Sequence, residues 1–275
     1  MAWIHSIDNV GRPRWWDWAT GNTRVDRAEK AASQAKHQAI QFRIARDYAS
    51  AAEAFVVAAE WAPEDFEKVS YLKEASVMFR KTGASERALQ CLTSCAELCR
   101  ASGNFKMAMT HALDRVATLE EMGRLEQARD ALVELADDPE APRLKIEEKL
   151  ARLSAELELW DDAVRHWEAV ADLTLDAGTA LRHLAQEVLF FVFLVKVPQG
   201  GAQDTWDRIN RLIPGWDTSR PGKFCLELVG VWSSQDVDAF SQAVQEWDSW
   251  RRLTPLEVKL LGRIKAEMTV EGSLT

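Results

Sequence analysis

The chain lacks any apolar run long enough to cross a bilayer. Its most apolar stretch, residues 188–195 (VLFFVFLV), is eight residues long, against the ~20 that a membrane helix needs, and is read as a buried core segment. The opening residues 1–8 (MAWIHSID) have no basic region followed by an apolar one, so no secretory signal is expected. Cysteine is scarce. Cys91, Cys95, Cys99 and Cys225 are the only four in 275 residues, too few for a disulfide scaffold, and reduced thiols of a cytosolic protein fit better. A surplus of positive charge is also missing. The formal net charge of −9 favours solubility and argues against sequence-independent nucleic-acid binding, which needs a basic face.

Catalytic patterns are absent as well. The sequence holds no Walker loop, GxGxxG or HExxH, and His5, His37, His111, His166 and His183 are scattered. Cys91, Cys95 and Cys99 share one helical face, but a single straight helix cannot wrap four tetrahedral ligands around zinc, and small cysteines pack readily between helices. The acidic pairs Asp137-Asp138 and Asp161-Asp162 fall at loops or helix starts, where the helix dipole favours acids. Neither enzyme activity nor a metal or cofactor is expected.

What is present is helix. From Asn22 onward Ala, Leu, Glu, Gln, Arg and Lys dominate, apolar residues recur at helical spacing, and no period-two alternation is sustained. Five segments share one template, with Ala at +3 and an apolar residue at +7: Tyr48-Ala51-Phe55, Ser85-Ala88-Leu92, Phe105-Ala108-Ala112, Leu125-Ala128-Leu132 and Trp160-Ala163-Trp167. Each follows a short polar or glycine break. The small +3 residue lets a facing helix approach, and the +7 residue fills the groove beside it. Such units cannot bury their apolar faces alone and must stack. The expected fold is therefore all-α: a superhelical stack of tetratricopeptide-like helical hairpins closed by a C-terminal helical bundle. The expected division is 1–21 as an N-terminal segment with an apolar tryptophan loop, 22–197 as the hairpin array, and 202–275 as the C-terminal bundle and tail.

Several segments taken in order resemble the α-type soluble NSF attachment proteins (SNAPs). They are the stretch from Phe42 to Phe55 (FRIARDYASAAEAF), the turn Ile213-Pro214-Gly215-Trp216-Asp217-Thr218-Ser219-Arg220, and the ending Asp236-Val237-Asp238-Ala239-Phe240, Val244-Gln245-Glu246-Trp247-Asp248-Ser249 and Leu260-Leu261-Gly262-Arg263-Ile264-Lys265. The match is collinear from about Trp15 to Thr275, and the ending is closer to the α-type than to the γ-type.

The resemblance implies three kinds of contact. Lys145 and Lys149, four apart on one helix, would face the acidic SNARE bundle together with Arg182, Arg220, Lys223 and Lys106. The residues alone also allow Lys145 and Lys149 to pair with Glu147, Glu148 or Glu156 on a solvated face. Asn104, Thr110 and Gln186 stand where the family carries basic residues. Trp15, Trp16 and Trp18, in a Gly/Pro-bounded loop beside Arg12 and Arg14, match the family's membrane-contact loop and suit a membrane–water interface; the alternative is that they staple the loop onto the first hairpin. Leu274 and Glu271, with Asp236 and Asp238, would meet NSF, although Gly230, Ser233 and Ser234 replace acidic family positions.

The function so implied is an adaptor that binds assembled SNARE complexes and recruits and stimulates the NSF-type AAA+ ATPase for their disassembly. Several copies would act per complex, in the cytoplasm and peripherally associated with membranes. The alternative is a tetratricopeptide-type scaffold that binds a peptide tail of another partner.

Overall fold

The computed structural model describes residues 16–17, 22–139, 141–178 and 181–272. Among these, thirteen helices account for nearly all of the secondary structure. The one exception is a minimal antiparallel pair, β1 (Trp16–Asp17) against β2 (Asn22–Thr23), with Trp16 opposite Thr23. The packing divides into two units between Ala141 and Pro142, within the proline-bounded loop.

The first unit contains α1 (Arg24–Ile44), α2 (Tyr48–Trp61), α3 (Asp65–Lys81), α4 (Ser85–Ala101), α5 (Phe105–Glu121) and α6 (Leu125–Ala136). Each helix packs on the next through a short turn, which makes successive antiparallel hairpins. The second contains α7 (Arg143–Glu156), α8 (Trp160–Asp176), α9 (Arg182–Lys196), α10 (Ala202–Leu212), α11 (Arg220–Ser234), α12 (Val237–Trp250) and α13 (Pro255–Gly272).

The five-fold template coincides with helix starts. Its first residues, Tyr48, Ser85, Phe105, Leu125 and Trp160, open α2, α4, α5, α6 and α8. The +3 alanines Ala51, Ala88, Ala108, Ala128 and Ala163 are all buried, none more than 1% exposed. The preceding turns are identical in kind. Two residues before each helix the backbone turns left-handed, at Arg46, Gly83, Gly103, Gly123 and Glu158. The next amide then reaches back to a carbonyl five residues earlier: Asp47 to Phe42, Ala84 to Phe79, Asn104 to Cys99, Arg124 to Leu119, and Leu159 to Ser154, at 2.8–3.0 Å. This is the Schellman closure, which satisfies the carbonyls left open at a helix end.

Arg46 and Glu158 hold the left-handed position with a Cβ, at φ 61° and 62°, which costs about 1 kcal/mol that glycine would not incur. Arg46→Gly is expected to raise the unfolding free energy by about 0.5 kcal/mol after glycine's greater unfolded-state entropy is subtracted. Glu158→Gly should gain less, because it loses an ion pair with Lys259 at 3.0 Å. A urea midpoint that fell for Arg46→Gly would contradict this account.

The two cores differ in composition. That of the first unit is dominated by alanine, with Ala32, Ala35, Ala39, Ala51, Ala52, Ala58, Ala59, Ala75 and Ala88 around Phe55, Met78 and Phe79. Small side chains let helix axes come close. Cys95 and Cys99 join Val69 and Ala108 in a second cluster. There the Cys95 thiol donates to the Val69 carbonyl at 3.5 Å, and burial pushes its pKa up to about 12. The second unit is built on aromatics: Trp167, Phe190, Phe191, Phe193, Trp216, Phe224, Phe240 and Trp247. Residues 188–195 lie in α9, and all eight are buried. An element apolar all round must be surrounded, and α9 is packed by α8, α10, α11 and α13.

Candidate functional site

The second unit carries five of the six basic residues singled out from the sequence. Lys145 and Lys149 sit on α7, whose other face buries Ile146, Leu150, Leu153 and Ser154. Lys145 is exposed and Lys149 half-buried. Among the described residues no carboxylate lies within ion-pair distance of Lys145. Glu147 is engaged elsewhere: the ring of His166 on α8 meets it at 2.7 Å, and Arg143 lies 4.0 Å away. Glu156 pairs with Arg152 at 4.0 Å. Arg182 is exposed at the first position of α9. Because α7, α8 and α9 run as consecutive hairpin helices, the starts of α7 and α9 lie at the same end of this layer.

Arg220 and Lys223 are brought together on the first turn of α11, and the turn before it explains how. Trp216 is fully buried. The Ser219 hydroxyl donates to the Trp216 carbonyl at 2.5 Å and accepts the Gly222 amide at 3.1 Å, capping the helix. The indole N–H of Trp206 donates to the Gly222 carbonyl at 3.0 Å. Residue 222 is confined to glycine, since a Cβ there would stand 1.8 Å from the Trp216 carbonyl oxygen. The start of α11 is thus clamped onto the core, and Arg220 and Lys223 project from a fixed base. The Arg220 guanidinium lies 5.0 Å from the centre of the Trp250 ring, a cation–π contact.

Lys106 belongs to the first unit, exposed in the first turn of α5, where the side chain of Asn104 caps the helix by accepting the Met107 amide at 3.2 Å. Asp236 caps α12, one carboxylate oxygen accepting the amides of Asp238 at 3.0 Å and Ala239 at 2.9 Å, and Asp238 is exposed beside it. Glu271 falls in the last turn of α13. Trp16 belongs to β1. Trp15, Trp18 and Leu274 lie outside the described residues, as do the side chains of Trp16 and Glu271.

Sequence reasoning missed the cleft in which Arg220 and Lys223 stand. Phe224 and Glu227 of α11 and Ala243, Glu246, Trp247 and Trp250 of α12 complete it. The i, i+3, i+4, i+7 spacing of Ala243, Glu246, Trp247 and Trp250 marks one face of α12 but not the α11 side it meets. No helix of the described residues is long and apolar enough to cross a membrane.

Comparison with known proteins gives a consistent result. The family described as soluble NSF attachment protein, SNAP, matches residues 14–269. Beta-soluble NSF attachment protein of Bos taurus is 25% identical over 263 residues, covering 92% of this chain and 87% of its own. Alpha-soluble NSF attachment protein of Mus musculus shows the same identity and coverage. That of Vitis vinifera is 24% identical over 200 residues, covering 70% of this chain and 68% of its own. Together with the stacked hairpins and the α11–α12 ending, a family match running nearly from end to end means that this chain belongs to the soluble NSF attachment protein family.

Proposed function

We propose that the protein is the adaptor between assembled SNARE complexes and an NSF-type AAA+ ATPase, with no catalytic chemistry of its own. The observation that carries the reading is the family match over residues 14–269. ATP hydrolysis belongs to the ATPase, and this chain couples it to the bundle being taken apart. Residues 22–197 serve as the hairpin array and 202–275 as the C-terminal bundle and tail, in which Arg220 and Lys223 face the SNARE bundle while Asp236, Asp238 and the tail face the ATPase. Lys145, Lys149, Arg182, Arg220, Lys223 and Lys106 attract the acidic bundle. Lys145 supports this role, since it is exposed and no carboxylate of the described residues lies within ion-pair distance of it. Asp236, Asp238, Glu271 and Leu274 meet the ATPase, and Trp15, Trp16 and Trp18 touch the membrane from the cytoplasmic side. Several copies surround one complex.

The test is retention of assembled SNARE complex by the immobilised protein, wild type against Lys145→Glu/Lys149→Glu. Retention should fall at least tenfold in the double variant while its helical circular dichroism is unchanged. It should also weaken steeply with salt, because exposed charges more than ~8 Å apart are largely screened at physiological ionic strength. Equal retention by both proteins would remove these lysines from the interface. No retention by wild type would remove the adaptor reading itself.

A further inference from the structure

The cleft between α11 and α12 has a volume of about 640 Å³, within the range of formed binding sites. Its floor is aromatic. Phe224 and Trp247 stack with centroids 4.6 Å apart and planes at 15°, and Trp250 leans on Trp247 at 5.0 Å while remaining 46% exposed. Arg220 and Lys223 stand on the first turn of α11, Glu227 lies one turn further along it, and Glu246 of α12 is near Glu227. These charges do not neutralise one another. Among the described residues no ion pair joins Lys223, Glu227 or Glu246 to an opposite charge, and the only side-chain contact shown for Glu246 is the Gln242 amide at 3.1 Å. Lys223 and Glu227 are four apart on α11 but in the order, cation first, that pairs less well. Partial burial, then the nearby Glu246 carboxylate, raises the pKa of Glu227. The site thus holds charges of both signs, unpaired among the described residues, beside the exposed Trp250 ring and above the Phe224–Trp247 stack, whose residues are each 5% exposed.

We propose that this cleft binds one face of a partner helix that carries an acidic residue one to two turns from a basic residue, with a bulky apolar side chain between them. The spacing follows from α11. From Arg220 or Lys223 to Glu227 is four to seven residues, or roughly 6–10 Å of rise, which a partner helix reproduces between positions i and i+7. The partner's acid meets Arg220 and Lys223, its apolar side chain covers the exposed Trp250 beside the buried Phe224–Trp247 stack, and its base lies near Glu227 and Glu246. This goes beyond the adaptor reading, in which Arg220 and Lys223 serve only as positive charge. The two carboxylates add a demand that a purely acidic partner surface cannot meet. The proposal shares two residues with that reading but does not rest on it.

The experiment uses three fluorescein-labelled synthetic helical peptides and the full chain, read by fluorescence anisotropy. One peptide has Glu, Leu and Lys at positions i, i+3 and i+7; the second has Glu at both charged positions, and the third has Lys at both. Wild type should bind the bipolar peptide about tenfold tighter than either of the others. Glu227→Lys/Glu246→Lys should shift the preference to the all-acidic peptide. Glu227→Gln/Glu246→Gln, nearly isosteric and on the surface, should remove the advantage of the bipolar peptide over the all-acidic one. Equal affinity of wild type for the bipolar and all-acidic peptides overturns the proposal and leaves the cleft as plain basic surface. So does the absence of saturable binding to the bipolar peptide, or a ranking unchanged in both variants. None of these outcomes depends on whether SNARE complex is retained in the separate assay.

Discussion

Gly222→Ala is expected to destabilise the second unit by about 3 kcal/mol. The added carbon would sit 1.8 Å from the Trp216 carbonyl oxygen and 2.6 Å from its carbon, so backbone must move, and no rotamer change can absorb the clash. Both sides of the contact are anchored. Trp216 is fully buried, and the Gly222 carbonyl is held by the indole of Trp206. Relief therefore means lifting the first turn of α11, which breaks the Ser219 cap and carries Arg220 and Lys223 with it. The urea midpoint monitored by tryptophan fluorescence should fall, and binding that depends on Arg220 should fall with it. Gly230→Ala is the internal comparison. It lies in the same helix with nothing within 4 Å of the new carbon, so it should stabilise by about 0.5–1 kcal/mol through helix propensity. A normal midpoint for Gly222→Ala would show that the turn packs otherwise than described.

Glu257→Ala should cost about 2–3 kcal/mol. Glu257 is fully buried at the start of α13. Its carboxylate accepts the Thr254 amide at 2.7 Å while the Thr254 hydroxyl accepts the Glu257 amide at 3.3 Å, the reciprocal arrangement of a capping box. It also pairs with Arg251. Truncation strands a buried amide and one end of an ion pair, and the estimate is kept below that for a fully buried pair because Arg251 is 41% exposed. The damage should spread, because the next turn of α13 ties down α7. Lys259 donates to the carbonyls of Ala155 and Glu156 at 3.3 Å and sits 5.4 Å from the Trp160 ring centre. Glu257→Gln keeps one acceptor and should lose less than half as much. Equal losses for Ala and Gln would assign the effect to the ion pair rather than to the cap.

The fold was more legible than the site. The +3 alanines and the breaks before them mark helix starts because both report one local event, a helix ending in a left-handed residue and the next beginning two residues later. Even Arg46 and Glu158, without glycine, obey it. The apolar run at 188–195 was readable as core because its length fits neither a membrane span nor an amphipathic face. The alignment of Lys145, Lys149, Arg182, Arg220 and Lys223 depends on the resemblance, since a lysine on a solvated helix carries no sign of whether a partner or a neighbouring glutamate takes its charge. Only coordinates show that Glu147 turns to His166. The α11–α12 cleft escaped notice for another reason. Phe224 and Trp247 stand 23 residues apart in sequence, and their stacking is a tertiary event. The confinement of residue 222 to glycine was likewise invisible, because the obstacle is a carbonyl oxygen six residues earlier.

The uniform turns constrain how this architecture can change length. Each of the five closures uses the same bond over the same number of residues, so no turn has slack. One residue inserted within α4 or α5 would rotate everything after it by about 100°, swinging the next buried alanine out of its seam with no loop able to absorb the error. Substitutions can accumulate singly on such a frame, but insertions and deletions cannot. Lengthening is admissible in whole hairpins, or at the Pro139–Pro142 junction where the two units meet in sequence and where no closure of this kind is formed among the described residues.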